Sequence, residues 1–221
     1  MYIDFHTHYC NEDANVLAIE NITFFRDKIN SINPQKFYSV GIHPWYIRDD
    51  FSISEQMKQV KELAINLNIL CIGETGLDKI RGAEWSLQLE VFKKHIELSE
   101  MLGKPLVIHC VKAFDVIFQL KKQIKPQQKW IIHGFQGKAV LYKQVIDNGL
   151  MVSISKKFFN AEFIEMLDKN SFFLETDDSQ NSIVELYQSI SLRLGISVQE
   201  LENIQKLNFS SVFGNPIISH Q

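Results

Sequence analysis

The chain is poor in the residues that make loops and staples. It holds only five prolines, ten glycines and three cysteines in 221 residues. So few prolines and glycines exclude collagen-like and low-complexity architectures. Three cysteines (Cys10, Cys71 and Cys110) make no disulfide framework, and free thiols of this kind fit a reducing compartment. No apolar run approaches a membrane span; "PLVIHC" is typical of the longest. The N-terminus shows no basic segment followed by an apolar one, so no signal peptide is read there and the expected location is cytoplasmic. A strong positive charge is also missing: the net charge is −3, against the basic footprint of broad nucleic-acid binders. That does not exclude an enzyme gripping one strand end, because carboxylates committed to a metal lower the apparent charge.

Hydrophobic content of 45% and charged content of 22% are those of an ordinary globular protein, and no linker or repeat divides the sequence. One domain, 1–221, is the expectation. Short apolar runs recur: "MYIDF", "NVLAIEN", "FYSVGI", "NILCIGE", "KPLVIHC", "KWIIHGF", "GLMVSIS" and "SFFLETD". Several are continuous rather than alternating, as in parallel strands covered on both faces. Amphipathic stretches separate most of them. Ser54 to Leu67 places Met57, Val60, Leu63 and Ala64 on one face, and Glu84 to Leu102 ends at Gly103 and Pro105. Ser197 and Glu200 open a last helix in a capping-box pattern. Eight βα repeats predict a (β/α)8 barrel, with an open doubly wound sheet as the runner-up. The gap between the first two strands is too short for a helix, so the first βα unit is expected to be trimmed. "NVLAIEN" also reads as a helix start, which makes the second strand the least distinct.

Polar residues fall at the ends of these runs. Asp4, His6 and His8 alternate along "DFHTHYC" and so share one strand face, which is costly to bury unless something binds it. His43 follows the third strand, Glu74 ends the fourth, His109 the fifth, His133 the sixth and Asp177 the eighth. Barrel enzymes build their sites at such C-terminal strand ends. Four imidazoles and two carboxylates suit a transition-metal site. His6 and His8 can chelate one ion, His109 and His133 a second, with Glu74 placed to bridge and Asp177 closing the ring. The expected cofactors are two divalent ions, Zn²⁺ or Mn²⁺ favoured and Mg²⁺ possible.

"DFHTHYC", "GIHPW", "GETGLD", "PLVIHC", "IIHGFQG" and "LETD" occur in order and resemble the TatD-type deoxyribonucleases of the amidohydrolase superfamily; "NFSSVFGNP" resembles their ending. The resemblance implies that His6, His8, Glu74, His109, His133 and Asp177 are metal ligands. It implies a divalent-metal-dependent hydrolase that cleaves phosphodiester bonds with a two-metal-activated water, some relatives working from a 3′ end. Asp177 would orient or deprotonate the water, Glu74 would act with it, and His43 is a non-ligand donor to a phosphate oxygen or leaving group. A DNA end or single-stranded DNA is the implied substrate. Apart from the resemblance, the short apolar runs predict no membrane partner, and a monomer is the expectation.

The sequence departs from the family pattern twice. Val111 and Lys112 stand where Arg and Asp usually follow the fifth-strand histidine, and "DSQNSIVEL" replaces the usual Ala/Ser-Pro-Tyr segment. Both lie where substrate binds. They keep two alternatives in view: a metallohydrolase acting on a small amide, lactone or phosphate ester, and an inactive metal-binding relative. Asp78 is equally a ligand-orienting group or a turn cap. "GFQG" reads as a tight turn or as a source of backbone amides for an anion, Trp45 and Tyr46 as core or lid packing or base stacking, and Lys121, Lys122, Lys125 and Lys129 as a solvated helix end. Phe24, Phe25, Phe158 and Phe159 read as packing.

Overall fold

The computed structural model describes residues 1–9, 12–27, 32–48, 52–158 and 161–214. All eight expected strands are present: β1 (Tyr2–Thr7), β2 (Val16–Thr23), β3 (Phe37–Gly41), β4 (Ile69–Asp78), β5 (Leu106–Val111), β6 (Trp130–Ile132), β7 (Met151–Ile154) and β8 (Phe172–Leu174). They form one sheet of eight parallel strands whose spatial order is the chain order, that of a (β/α)8 barrel. The helices are α1 (Ile53–Ala64), α2 (Trp85–Leu102), α3 (Phe114–Ile124), α4 (Ala139–Asp147), α5 (Ile183–Leu194) and α6 (Val198–Phe213).

The trimming goes further than the sequence indicates. Among the described residues no helix follows β1 or β2, and only two short 3₁₀ turns, Lys156–Phe158 and Glu162–Met166, lie between β7 and β8. After β2 the chain turns at once: the Asp27 carboxylate accepts the Thr23 N–H at 2.7 Å, and the Thr23 carbonyl accepts the Asp27 N–H at 3.0 Å. A side chain that closes a turn in this way competes with helix continuation. Cys10, Phe159 and His220 lie outside the described residues.

The chain divides into two compact units, Ile19–His133 and the paired segments Met1–Ala18 and Gly134–Gln221. In the first unit, β3 to β6 pair in parallel around fully buried Val40, Ile72, Ile108 and Ile131. Phe92 of α2 meets Trp130 edge-on at 5.9 Å, and the Lys121 ammonium lies 5.2 Å over the Trp130 ring, so this lysine is not simply solvated. α1 begins with a complete capping box, Ser52 with Glu55, and α2 stops at Gly103 in the left-handed conformation. Lys104 then donates to the Asn66 carbonyl at 2.9 Å and to that of Ala64, satisfying groups at the end of α1. Gly76 is a position where only glycine fits: a Cβ there would lie 2.0 Å from the His109 carbonyl oxygen.

In the other unit, Phe5 stacks on Phe173 at 4.4 Å. The buried Tyr187 hydroxyl accepts from Ile3 N–H at 3.0 Å and donates to the Ile3 carbonyl at 3.1 Å. Gln205 and Asn208 of α6 serve β8 similarly: both amides donate to the Phe172 carbonyl, and Gln205 Oε1 accepts the Leu174 N–H. Ser197 caps α6 through the Glu200 N–H at 3.1 Å. β1 and β8 approach in a parallel bridge between Thr7 and Asp177.

Candidate metal centre

In the Ile19–His133 unit, one carboxylate oxygen gathers three imidazoles. Glu74 Oε1 lies 3.0 Å from His43 Nε2, 3.0 Å from His109 Nδ1 and 2.7 Å from His133 Nε2. Each side chain comes from a different strand. Glu74 does not end its strand, as the sequence indicates, but sits in its middle; β4 continues to Asp78 because Gly76, Leu77 and Asp78 pair with His109, Cys110 and Val111 of β5. His109 is the fourth residue of β5, His133 follows β6, and His43 lies just beyond β3. Glu74 is 3% exposed, deep enough that its charge requires partners. Burial alone would raise its carboxyl pKa, but His133 and His43 outweigh burial and hold it well below the usual range.

Supporting groups fix this arrangement. The Glu74 N–H donates to Asn21 Oδ1 at 2.9 Å, an oxygen that also accepts from Ser39 Oγ at 2.9 Å. The Trp45 N–H donates to His43 Nδ1 at 3.1 Å, which leaves the ring proton of a neutral His43 on Nε2, facing Glu74. Burial lowers the His43 pKa, so that neutral form is the one favoured. Just before it, the Ile42 N–H donates to Nε2 of the buried His95, whose Nδ1 faces the Val91 carbonyl at 2.8 Å.

Asp78 is a turn cap that also faces His109. Its Oδ1 accepts the Ile80 and Arg81 N–H groups at 2.8 and 3.0 Å, capping the turn. Its Oδ2 accepts the Trp45 indole N–H at 2.7 Å and faces His109 Nε2 at 3.4 Å. Gln88 locks the same loop, accepting the Asp78 N–H and donating to the Ala83 carbonyl at 2.7 Å.

His6, His8 and Asp177 meet in the other unit. Asp177 Oδ1 lies 3.9 Å from His6 Nε2 and 3.7 Å from His8 Nε2, and the two rings are edge to face at 5.2 Å. Backbone bonds align them: Asp177 N–H donates to His6 O at 2.9 Å and His8 N–H to Asp177 O at 3.0 Å. Asp177 takes a left-handed φ of 56°, uncommon for a residue with a side chain. Asp4 does not join them. It is buried with both oxygens on Thr176, to the N–H at 2.9 Å and the hydroxyl at 2.7 Å, and burial pushes its carboxyl up to about 7 against those bonds.

The "GFQG" glycine turn is a turn and no anion cradle: the Gly134 N–H donates to Glu175 Oε1 at 2.6 Å and the Phe135 N–H to the Ser153 carbonyl at 3.0 Å. Lys112 is exposed at the end of β5 with φ 53°. Sequence reasoning passed over Asn21, Gln88, His95 and Glu175. Only Glu175 carried a signal, being a carboxylate in the "LETD" strand end.

The donor set suits a divalent cation. His43, Glu74 and His109 each offer one ligand atom, all within 4.8 Å of one another. Imidazole nitrogen with carboxylate oxygen is a borderline-metal set.

The model of one protein family, described as TatD related DNase, matches residues 25–214. The chain belongs to the TatD-related DNase family. It is similar to uncharacterized metal-dependent hydrolase BU355 of Buchnera aphidicola, at 25% identity over 93% of this chain and 88% of that protein. It is 25% identical to a TATDN1 homolog of Enterocytozoon bieneusi named as a deoxyribonuclease, over 79% of this chain and 67% of that one. The crystal structure of YJJV, a TatD homolog from Escherichia coli K12, shares the fold with a TM-score of 0.79 at 18% identity, covering 96% of this chain and 97% of that one.

Proposed function

We propose that this member of the TatD-related family is a divalent-metal-dependent deoxyribonuclease that hydrolyses phosphodiester bonds. The chain is a metal-dependent hydrolase; DNA is the substrate we assign to it. The observation that carries this reading is the convergence of His43, His109 and His133 on the one buried oxygen of Glu74. Two sets of residues would hold metal: Glu74 with His109 and His133 in one unit, and His6 and His8 with Asp177 in the other. Zn²⁺ or Mn²⁺ suits the imidazoles best, and the carboxylates also admit Mg²⁺. The chemistry supplied by such ions is a lowered pKa for water and neutralisation of charge developing on a phosphoryl oxygen.

The protein's own groups do the rest. Asp177, partly exposed and aligned by its backbone bonds to β1, orients the attacking water and accepts its proton. His43 carries its proton on Nε2, where Glu74 accepts it at 3.0 Å, and redirects that donor to a phosphoryl or leaving oxygen when substrate is bound. Glu74, kept ionised, fixes the imidazoles around it. The test is elemental analysis followed by metal-supplemented assays on single-stranded DNA beside small esters, lactones and amides. Metal retention with DNA cleavage supports the proposal. Turnover of small substrates alone would favour the second reading, which the exposed position of Lys112 and the absence of an arginine after His109 keep open.

A further inference from the structure

A groove of about 500 Å³ within the Ile19–His133 unit is walled by the β4–α2 loop and the start of α2, and reaches the Glu74 cluster through Asp78, which faces His109. The loop is held rigidly. Asp78 accepts two of its N–H groups, Gln88 binds its carbonyls, and Gly82, at φ 108°, passes so close to Pro44 that a Cβ would lie 2.5 Å from the Pro44 oxygen. Its cations are Lys79 and Arg81, and the Arg81 guanidinium carbon sits 3.8 Å from the centroid of the Trp45 ring. Trp45 in turn lies 4.8 Å from His43 and 5.6 Å from His109, ring to ring. Arg81 therefore stands one indole away from two imidazoles of the cluster.

No carboxylate pairs with Arg81 among the described residues, in contrast to Lys79, which Asp115 holds at 2.9 Å. The acidic residues of the groove are Asp78, engaged by three N–H donors, and the exposed Glu84. α2 begins there with no side chain capping it, so its N-terminal amides add positive potential. A guanidinium stacked on an indole and free of carboxylates keeps its fork of donors for a tetrahedral anion.

We propose that Arg81, held flat on Trp45, binds a backbone phosphate of the nucleic-acid strand next to the bond being cleaved. The proposal rests on the nuclease reading above and deepens it, supplying the arginine that the sequence lacks after His109. Every nucleotide of a strand brings its own phosphate, so a phosphate at the imidazole cluster always has a neighbour to be read. Arg81 thus favours oligonucleotides over isolated esters.

The test uses metal-loaded protein and phosphorothioate-linked thymidine oligomers, which resist cleavage, bearing one, two or three linkages. Arg81→Gln is expected to fold, since the residue is exposed. The ratio of its Kd to that of wild type should rise to roughly tenfold on passing from one linkage to two, the effect of one charge-assisted hydrogen bond. Its salt dependence should lose about 0.7 of a unit of slope, one phosphate contact on a single strand. Arg81→Lys should recover the slope but not the full affinity, because a lysine keeps charge without the fork. Equal ratios at every length with an unchanged slope would overturn the proposal. Inorganic pyrophosphate separates this inference from the one beneath it. Wild-type protein that takes up pyrophosphate through Arg81 yet neither binds nor cleaves oligonucleotides would keep the anion site and refute the nuclease reading. Uptake equal in wild type and Arg81→Gln would refute the anion site.

Discussion

The two clusters differ in how they are held. Around Glu74, contacts are short, at 2.7 to 3.0 Å, and three of the four members have a named support: Asn21 behind Glu74, Trp45 behind His43, Asp78 behind His109. Around Asp177, the carboxylate stands 3.7 to 3.9 Å from the His6 and His8 nitrogens, and backbone bonds align the two segments. The first cluster is preorganised, with a carboxylate whose charge is stabilised before any ligand arrives. The second keeps room for movement at a partly exposed carboxylate. A tight anchor suits metal retention, and a looser carboxylate suits proton transfer.

The largest expected effect tests the anchor. Glu74→Ala removes the oxygen on which three imidazoles converge and several kcal/mol of charge stabilisation, so hydrolysis should fall by about 10⁴-fold, with loss of the tightly held metal. Retention of full metal content by this variant would reverse the ranking of the two clusters. Asp177→Asn comes next. It keeps the shape but loses the basic site, and turnover should drop by roughly 10³-fold while metal content and melting stay near wild type. Near-normal turnover with metal bound would remove the proton-transfer role; loss of the fold would assign Asp177 to structure instead.

The pH dependence of stability separates the two units by sign. Burial pushes His95 of the Ile19–His133 unit down to about 4 from 6.5, so at neutral pH both folded and unfolded forms are uncharged. As pH falls from 6.5 toward 4, the unfolded chain takes up a proton that the fold refuses, and about 3 kcal/mol is lost. Asp4 of the other unit runs the opposite way. Its folded pKa near 7, above the ordinary 3.8, stabilises the fold at low pH, and that contribution disappears as pH rises from about 4 through 7. Urea denaturation of His95→Gln and Asp4→Asn across pH 4 to 8 should flatten the acid limb in the first and the neutral limb in the second. Parallel curves for both variants and wild type would show that neither group sets the profile.

Much of this contrast was legible in advance, and the part that was not has a physical reason. His6 and His8 could be read as partners because alternation along a strand is a local property. The strands themselves were legible even at "NVLAIEN", whose alternating burial in β2 resolves its likeness to a helix. Glu74 was legible as a carboxylate of the fourth strand, but its place in mid-strand was not, since β4 is prolonged by pairing with β5 and by Gln88, ten residues beyond Asp78. The supports were hidden altogether. Asn21 and Glu74 are 53 residues apart, as are Ile42 and His95, and nothing local marks an asparagine or a core histidine as a brace. The lack of a helix after β2 among the described residues was hidden for the same reason: a turn closed by Asp27 leaves no periodicity to read.

The smallest expected effect is the sharpest probe of the contrast, because it leaves every metal-binding candidate in place. Trp45 donates its indole N–H to Asp78 Oδ2 at 2.7 Å, and the same oxygen faces His109 Nε2 at 3.4 Å. Trp45→Phe keeps an aromatic face beside His43 and under Arg81 but removes that donor. Asp78 then keeps only its Oδ1 bonds to the loop, and the oxygen that faces His109 loses the donor that fixes it. Loss of such an outer hydrogen bond costs about 10–100-fold in metal affinity, and the retained ring places this variant near tenfold. Competition against a chelator should show one class of bound metal weakened and the other untouched, with the melting temperature almost unchanged. Equal weakening of both classes would mean that the two clusters share their supports. Unchanged affinity with a lowered melting temperature would make the Trp45–Asp78 bond a brace for the loop alone.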